Sequence, residues 1–344
     1  MAQQEQPATF EEIRALMREL PGPEIQAASQ ALAREKELTK PEGSLGRLEE
    51  ISAWLATWQG RHPPRLERPR VAVFAGNHGV AAQGVSAYPS AVTKQMVANF
   101  IEGGAAVNQL CGLFDADLRV YEMALDEPTQ DFTTGPAMSE EDCVRAMAYG
   151  MMAVEEGFDV MALGEMGIGN TTSAAAICNA LFGGKAKDWV GRGSGLDYRG
   201  IRHKASVIEA ALKHHEGMLD DPLEVLRRLG GLELAAIAGA ILACRLARTP
   251  VLLDGYACTA AAAVLFKMDK LSLLHCLVSH LSGEPGHRAL LDEIGKRALL
   301  DFNMRLGEAS GAALAVPMLK AACACHTGMK TFDEAGVSRQ SQKK

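Results

Sequence analysis

Short, largely apolar runs that end in glycine constrain the fold of this chain more than any other feature. The three clearest are VAVFAG at 71–76, DVMALG at 159–164 and PVLLDG at 250–255. Such a run is typical of a strand that is buried on both faces of a parallel sheet. We expect two further strands in DLRVYEMAL at 117–125 and LLHCLVSHL at 273–281.

Helical patterns separate these runs. Ser139, followed by Asp142 three residues later, forms a capping-box pattern at the start of one predicted helix. Asp221 and Pro222 suit the N-cap and first position of another helix, and Gly230 suits its end. Strands that alternate with helices predict an α/β fold, a mostly parallel sheet with helices on both faces. Because ligands of such sheets bind beyond the carboxyl ends of the strands, the loops after the strands are the candidate site.

The two ends of the chain differ from this pattern. Residues 9–58 carry three helical patterns with no strand between them, and the proline-rich stretch 61–70 reads as a linker. Beyond Thr327 we expect the chain to fray. The predicted parts are an N-terminal helical part at 1–65, an α/β domain at 66–300, a C-terminal helical segment at 301–330 and a tail at 331–344.

Composition excludes several classes of protein. The chain is 48% hydrophobic and 22% charged, which favours a large core over disorder. With a net charge of −7 and no basic block, it is not expected to bind nucleic acid. No apolar run is long enough to span a membrane, and the polar N-terminus is unlike a signal peptide. The eight cysteines lie mostly in apolar runs, which favours reduced thiols in a cytoplasmic protein.

The loop GEMGIGNTT follows the strand DVMALG. Its glycines precede a predicted helix start, where exposed N–H groups suit a phosphate, although tight packing alone is the alternative explanation. The loop matches neither a Walker A motif nor G-x-G-x-x-G. Glu165 would repel a phosphate, so we expect it to face a sugar or a developing positive charge.

A second glycine-rich loop, GRGSGLD at 191–197, follows DWV, which looks like a short strand. Lys204, further along, is either a counter-charge for a phosphate or an exposed lysine on a solvated helix. Asn77 and His78 follow the first strand, and His78 is either a structural histidine or a site residue.

The remaining polar residues favour group transfer over hydrolysis. Asp254 ends the strand PVLLDG, and His280 and His287 are too far apart, with no cysteine cluster, to predict a zinc site. No G-x-S-x-G elbow is present. Glu308 stands alone at the start of a small, apolar helical run, where it is either a site residue or an acid that favours the helix dipole. Transfer at a phosphorylated sugar suits this set of residues.

The order of these motifs resembles the nicotinate-nucleotide–dimethylbenzimidazole phosphoribosyltransferase family of cobalamin biosynthesis. The matching segments are KPEGSLGRLE, GNHGV with GVSAYP and VTKQMVANF, GEMGIGNTT, GRGSGLD, PVLLDG, SHLSGEPGH and RLGEASGAALA. The resemblance implies a Rossmann-like sheet with a small helical domain built from both chain ends, and a homodimer. It implies transfer of 5-phosphoribosyl from nicotinate mononucleotide to a benzimidazole base, which gives α-ribazole 5′-phosphate and nicotinate without a metal or cofactor.

The resemblance also implies roles for individual residues. Glu308 matches the general base of the family, and Glu165 is the second catalytic residue. The residues expected around the nucleotide and its phosphate are Gly167, Gly193, Lys204, Asp254 and Ser282. The residues expected around the base are Tyr88, Met96 and Leu306.

Two departures from the family pattern concern the loop after the first strand. The family often has aspartate where Asn77 stands, and some members have serine and glutamine in place of Tyr88 and Met96. The second departure makes the base pocket more apolar. The alternatives to this enzyme are a kinase or dehydrogenase on a similar sheet, which the missing motifs disfavour, and a non-catalytic nucleotide-binding protein, which has no need of an acid at position 308.

Overall fold

A computed structural model describes residues 8–339 of the chain. Its strands form one six-stranded parallel sheet with the order β2-β1-β3-β4-β5-β6. The strands are β1 Pro69–Gly76, β2 Asp117–Met123, β3 Val160–Met166, β4 Val251–Leu253, β5 Cys276–His280 and β6 Ala298–Leu300. Since β1 pairs with β2 on one side and with β3 on the other, the strand order reverses between β1 and β3, where α/β proteins place their ligands.

Fifteen α-helices surround the sheet in the described residues. They are α1 Phe10–Arg18, α2 Ile25–Glu37, α3 Arg47–Gln59, α4 Ala91–Ile101, α5 Ala106–Phe114, α6 Glu140–Met152, α7 Asn170–Phe182, α8 Ala186–Trp189, α9 Tyr198–His214, α10 Pro222–Leu229, α11 Leu232–Leu246, α12 Tyr256–Met268, α13 Pro285–Glu293, α14 Ser310–Gly328 and α15 Phe332–Ala335. A 3-10 helix, Gly79–Gln83, follows β1.

The apolar strands divide their side chains between two cores. Val71 and Val73 pack with α3, α4, α5 and α14 on one face of the sheet. Ala72 and Phe74 pack with α6, α7, α11 and α12 on the other face. Successive side chains of a strand point to opposite faces, so a strand covered on both faces is apolar throughout, which is why the sequence shows runs rather than alternation.

The predicted helix signals are confirmed. Ser139 caps α6 by accepting a hydrogen bond from the Asp142 N–H. Asp221 caps α10 by accepting from the Leu223 N–H, Pro222 is the first helical residue, and the helix ends before Gly230. Each cap satisfies an amide that the helix cannot satisfy itself.

The N-terminal helices and the C-terminal helix meet at a buried polar cluster. Glu35 of α2 accepts from Ser52 of α3 at 3.0 Å, pairs with Lys40 at 3.0 Å and lies 2.7 Å from His326 Nδ1 of α14. The same α14 also packs on the sheet. The contact of helices from both chain ends agrees with the resemblance, and the division into the four predicted parts remains a prediction.

Two predictions from the sequence are wrong. DWV is not a strand: Asp188 and Trp189 belong to α8, where the Trp189 indole N–H donates to the Gly183 carbonyl at 2.8 Å. Beyond Thr327 the described chain is ordered, because Thr331 bridges to Leu38 and caps α15. The last residues of the predicted tail, 340–344, lie outside the described residues.

No helix among the described residues is long and apolar enough to cross a membrane. The cysteines are free thiols, six of them buried.

Candidate active site

A cavity of about 770 Å³ lies at the carboxyl edge of the sheet. Eight of the ten predicted site residues line it: Tyr88, Met96, Glu165, Gly167, Gly193, Ser282, Leu306 and Glu308. They come from loops far apart in sequence, which the parallel strands bring to one edge. The other two, Lys204 and Asp254, are buried and do not line the cavity.

Glu308 stands on unusual backbone. Gly307, Glu308 and Ala309 have φ angles of 80°, 61° and 58°, so two consecutive residues with side chains adopt the left-handed conformation. Each such residue costs roughly 1–3 kcal/mol, a strain that is concentrated at functional sites. The Glu308 N–H donates to the Glu165 carbonyl at 2.9 Å, which ties the loop to the end of β3. Because Ala309 is the N-cap of α14, Glu308 lies before the helix, and the explanation as a first-turn acid is wrong.

The two glutamates are buried carboxyl groups with few counter-charges. Burial, helped by the negative charge of Asp254, raises the pKa of Glu308 to about 7. Burial first, and then the charges of Asp254, Glu233 and Glu308, hold the pKa of Glu165 well above its usual range. The Asn170 amide donates to Glu165 and partly offsets this rise in pKa. An acid with a pKa near neutrality is suited to take up a proton during a reaction.

Lys204 is buried rather than solvated. Its side chain is 1% exposed, and Nζ donates to Thr171 Oγ1 at 2.9 Å. Burial lowers its pKa to about 8, with Glu284 opposing the change. The alternative of an exposed lysine is therefore wrong. A methyl group on Gly193, which has a φ of 50°, would lie 3.0 Å from Nζ, so this glycine lets the loop close over the lysine.

Two residues at this end of the cavity were missed as site residues in the sequence. Glu284 accepts from the Gly193 N–H at 2.8 Å, and Arg305 donates to the Gly193 carbonyl at 2.8 Å. Both lie inside the motifs SHLSGEPGH and RLGEASGAALA, so the motifs contained the signal, but nothing marked these two positions within them.

The residues after β1 are structural. His78 pairs with Glu233 at 2.5 Å and lies 3.0 Å from Ser173 Oγ, and all three side chains are buried. The Asn77 amide donates to the Leu125 carbonyl at 2.8 Å. Neither residue lines the cavity, which favours the structural explanation for His78.

Asp254 is fully buried at the end of β4, where Oδ1 accepts from the Ala312 N–H at 2.8 Å. It therefore contacts the first turn of α14 instead of the cavity. Across the described residues, no group of three or more histidine, cysteine, aspartate or glutamate side chains is arranged to hold a metal ion.

The family model described as "Phosphoribosyltransferase" matches residues 20–337, so the chain is a phosphoribosyltransferase. It is 56% identical to the nicotinate-nucleotide–dimethylbenzimidazole phosphoribosyltransferase of Allorhizobium ampelinum over 329 residues, 96% of each chain. It is 56% identical to the enzyme of that name from Methylocella silvestris over 331 residues, 96% of this chain and 97% of the relative. The crystal structure of CobT from Thermus thermophilus matches with a TM-score of 0.84 and 42% identity, covering 92% of this chain and 100% of that one. The chain belongs to the nicotinate-nucleotide–dimethylbenzimidazole phosphoribosyltransferase family.

Proposed function

We propose that this phosphoribosyltransferase moves the 5-phosphoribosyl group of nicotinate mononucleotide to 5,6-dimethylbenzimidazole or a related base. The products are α-ribazole 5′-phosphate and nicotinate, in assembly of the cobalamin nucleotide loop. The observation that carries the proposal is the buried Glu308, with a pKa raised to about 7, on the wall of a cavity lined by glycine-rich loops.

Glu308 is the proposed general base. One nitrogen of the base forms a bond to C1′ of the ribose while the bond from C1′ to the pyridinium nitrogen breaks. The electron pair of the broken bond stays on that nitrogen, so nicotinate leaves without a general acid. The other nitrogen of the base loses its proton to the Glu308 carboxylate. The raised pKa makes this carboxylate a stronger proton acceptor than an exposed glutamate would be.

Glu165 is proposed to stabilise the positive charge that develops on the ribose. As the bond to nicotinate breaks, C1′ gains positive charge, which nearby carboxylate and carbonyl oxygens stabilise in a water-poor site. Burial first, and then its acidic neighbours, raise the pKa of Glu165 well above its usual range. The cationic pyridinium of the bound nucleotide would oppose this rise by favouring the ionised form of Glu165.

The glycine-rich loops and Lys204 are proposed to bind the nucleotide. Gly167, Gly193 and Ser282 line the same cavity as the two glutamates. Lys204 lies directly behind Gly193, so its positive charge supports an anion on the loop without blocking the cavity.

Tyr88, Met96 and Leu306 are proposed to contact the incoming base. All three line the cavity, and Tyr88 and Leu306 are 54% and 55% exposed at its mouth. A planar, apolar base would cover these side chains when it binds, which favours dimethylbenzimidazole over more polar bases.

The resemblance also predicts a homodimer, and the cysteines in apolar runs predict a cytoplasmic location. In the described residues β2 is an edge strand, and the helices beside it expose large apolar side chains such as Ile101 and Leu113. A second copy of the chain on this face would cover them. Sedimentation velocity of the purified protein tests the dimer: a single monomeric species at micromolar concentration would rule it out.

The reaction is tested by mixing the purified protein with nicotinate mononucleotide and 5,6-dimethylbenzimidazole and separating the products by chromatography. We expect equal amounts of nicotinate and α-ribazole 5′-phosphate, and at least about 100-fold less of both per unit time from Glu308→Gln. If the protein binds the nucleotide but forms no product, the alternative of a non-catalytic nucleotide-binding protein replaces the proposal.

A further inference from the structure

We propose that Asp254 and His280 form a buried pair that positions Glu308, holding the strained loop beneath it and keeping a negative charge behind it. This inference rests on the proposed role of Glu308 as the base. Asp254, which the resemblance implies contacts the nucleotide, has a positioning role instead.

Asp254 anchors the helix that follows Glu308. Its Oδ1 accepts the Ala312 N–H at 2.8 Å, within the first turn of α14, four residues beyond Glu308. A carboxylate at a helix N-terminus also interacts favourably with the helix dipole. Since Glu308 and Ala309 both have positive φ, the loop needs such an external anchor to keep its conformation.

His280 is held against this anchor. Its ring is 1% exposed, lines the cavity, and places Nε2 3.6 Å from Asp254 Oδ1. A methyl group on Gly311 would lie 1.9 Å from His280 Cδ2, and one on Gly255 would lie 3.1 Å from Nε2. The two glycines therefore let the ring sit between the loop after β4 and the start of α14.

The pair carries buried polar atoms that no described residue satisfies. Asp254 Oδ2 and both ring nitrogens of His280 have no hydrogen-bond partner among the described residues. A buried group of this kind costs about 1–3 kcal/mol, so a purely structural anchor would be better made by a neutral side chain. A purely structural role therefore does not explain why ionisable side chains stand at positions 254 and 280.

The negative charge of Asp254 acts on Glu308. Asp254 is the one charged neighbour that raises the pKa of Glu308. Burial raises the pKa of Asp254 itself, and His280 opposes that rise by favouring the ionised form. Other ionisable groups also face this cluster from the surrounding elements. They are Glu165 on β3, Cys258 on α12, His287 on α13, Lys204 on α9, Glu284 and Arg305 on the loops of the cavity wall, and the His78–Glu233 pair behind Glu165.

Two variants of Asp254 separate its anchoring from its charge. Asp254→Asn keeps an oxygen that accepts from Ala312 and removes the charge. We expect it to melt near the wild-type temperature and to move the acid limb of the pH profile of kcat/KM for the base down by about one pH unit. Asp254→Ala removes both, and we expect a lower Tm and a loss of at least about tenfold in kcat/KM at every pH. An acid limb that stays in place in a folded Asp254→Asn would overturn the proposal.

A measurement without turnover keeps this test separate from the proposed reaction. Carbon-13 NMR of protein labelled at glutamate and aspartate carboxyl groups can follow Glu308, identified as the resonance that Glu308→Gln lacks. In the wild type we expect two inflections in its titration, one from Glu308 itself and one at the pH where an aspartate resonance, that of Asp254, also changes, because interacting acids titrate together. A single inflection would overturn the pair even if Asp254→Asn did not fold. Absence of product from the wild type would instead refute the proposed function and leave this titration to decide the pair.

Discussion

Replacing Gly164 with alanine tests whether the backbone under Glu308 sets the rate. Gly164 lies in β3, directly against the loop that carries Glu308. A methyl group there would lie 2.2 Å from the Ala309 nitrogen, 2.3 Å from its Cβ and 2.4 Å from its Cα. Carbon atoms in contact stand about 3.5–4.0 Å apart, so Ala309 has to move by more than about 1 Å.

The expected losses follow from that displacement. A shift of about 1 Å in a catalytic group lowers the rate by about 100-fold, equivalent to about 2.7 kcal/mol. Overpacking of a buried position costs about 1–3 kcal/mol of stability, so the Tm should fall by a few degrees. Because the nucleotide loops lie elsewhere on the cavity wall, the Kd of nicotinate mononucleotide should change little.

The assay compares kcat/KM for dimethylbenzimidazole, Tm and nucleotide Kd in Gly164→Ala and in a matched control, Gly328→Ala. Gly328 is the exposed last residue of α14, with nothing within 4 Å of an added methyl group. The control should keep the wild-type rate and gain up to about 1 kcal/mol of stability, since alanine favours a helix. A folded Gly164→Ala with wild-type kcat/KM would refute the argument that this contact places Glu308.

Three further predictions concern single side chains. Glu308→Gln should lose at least about 100-fold in turnover. The Tm of Glu308→Gln at pH 8 should nevertheless lie above that of the wild type. The pKa of Glu308 is higher in the folded protein than the unfolded value of 4.5, so above pH 7 its ionised form destabilises the fold by about 1–3 kcal/mol, a difference that vanishes below pH 4.5. An unchanged Tm at pH 8 would contradict the raised pKa. Lys204→Met should weaken nicotinate mononucleotide binding at least about tenfold in calorimetry. Replacing the exposed Lys187 with methionine should leave the Kd unchanged. Equal Kd values in the two variants would remove Lys204 from the site. Met96→Gln should shift product ratios toward more polar bases when several bases compete in one tube, and an unchanged ratio would place the selectivity elsewhere.

Most of the sheet could be predicted from the sequence because buried parallel strands leave long apolar runs. The strand that was missed, β6, has only three residues, Ala298–Leu300, and its letters also fit the end of a helix. DWV was misassigned for a related reason: three residues contain no period that separates a strand from a helical turn. β4 is equally short but lies in the apolar run PVLLDG. Short elements without such a run are decided by tertiary contacts that a local pattern does not contain.

The site was predictable where the chemistry is local. The glycine loops and Glu308 stand out in the sequence, and the structure brings them to one cavity. The burial of Lys204 was not predictable, because it depends on how α9 packs behind the cavity loops. The position of Asp254 depends on Ala312, which lies 58 residues further along the chain. Such long-range contacts decide whether a polar residue touches substrate or supports a residue that does.

The most direct test of the central claim is the pH dependence of kcat/KM for the accepting base, measured with two benzimidazoles of different basicity. If Glu308 is the general base, both profiles should share an acid limb near pH 7, below which the protonated carboxyl group cannot take a proton. Glu308→Gln should lack that limb. A limb that persists in Glu308→Gln would show that another group accepts the proton. A limb that moves with the basicity of the substrate would show that protonation of the substrate, and not of Glu308, limits the rate.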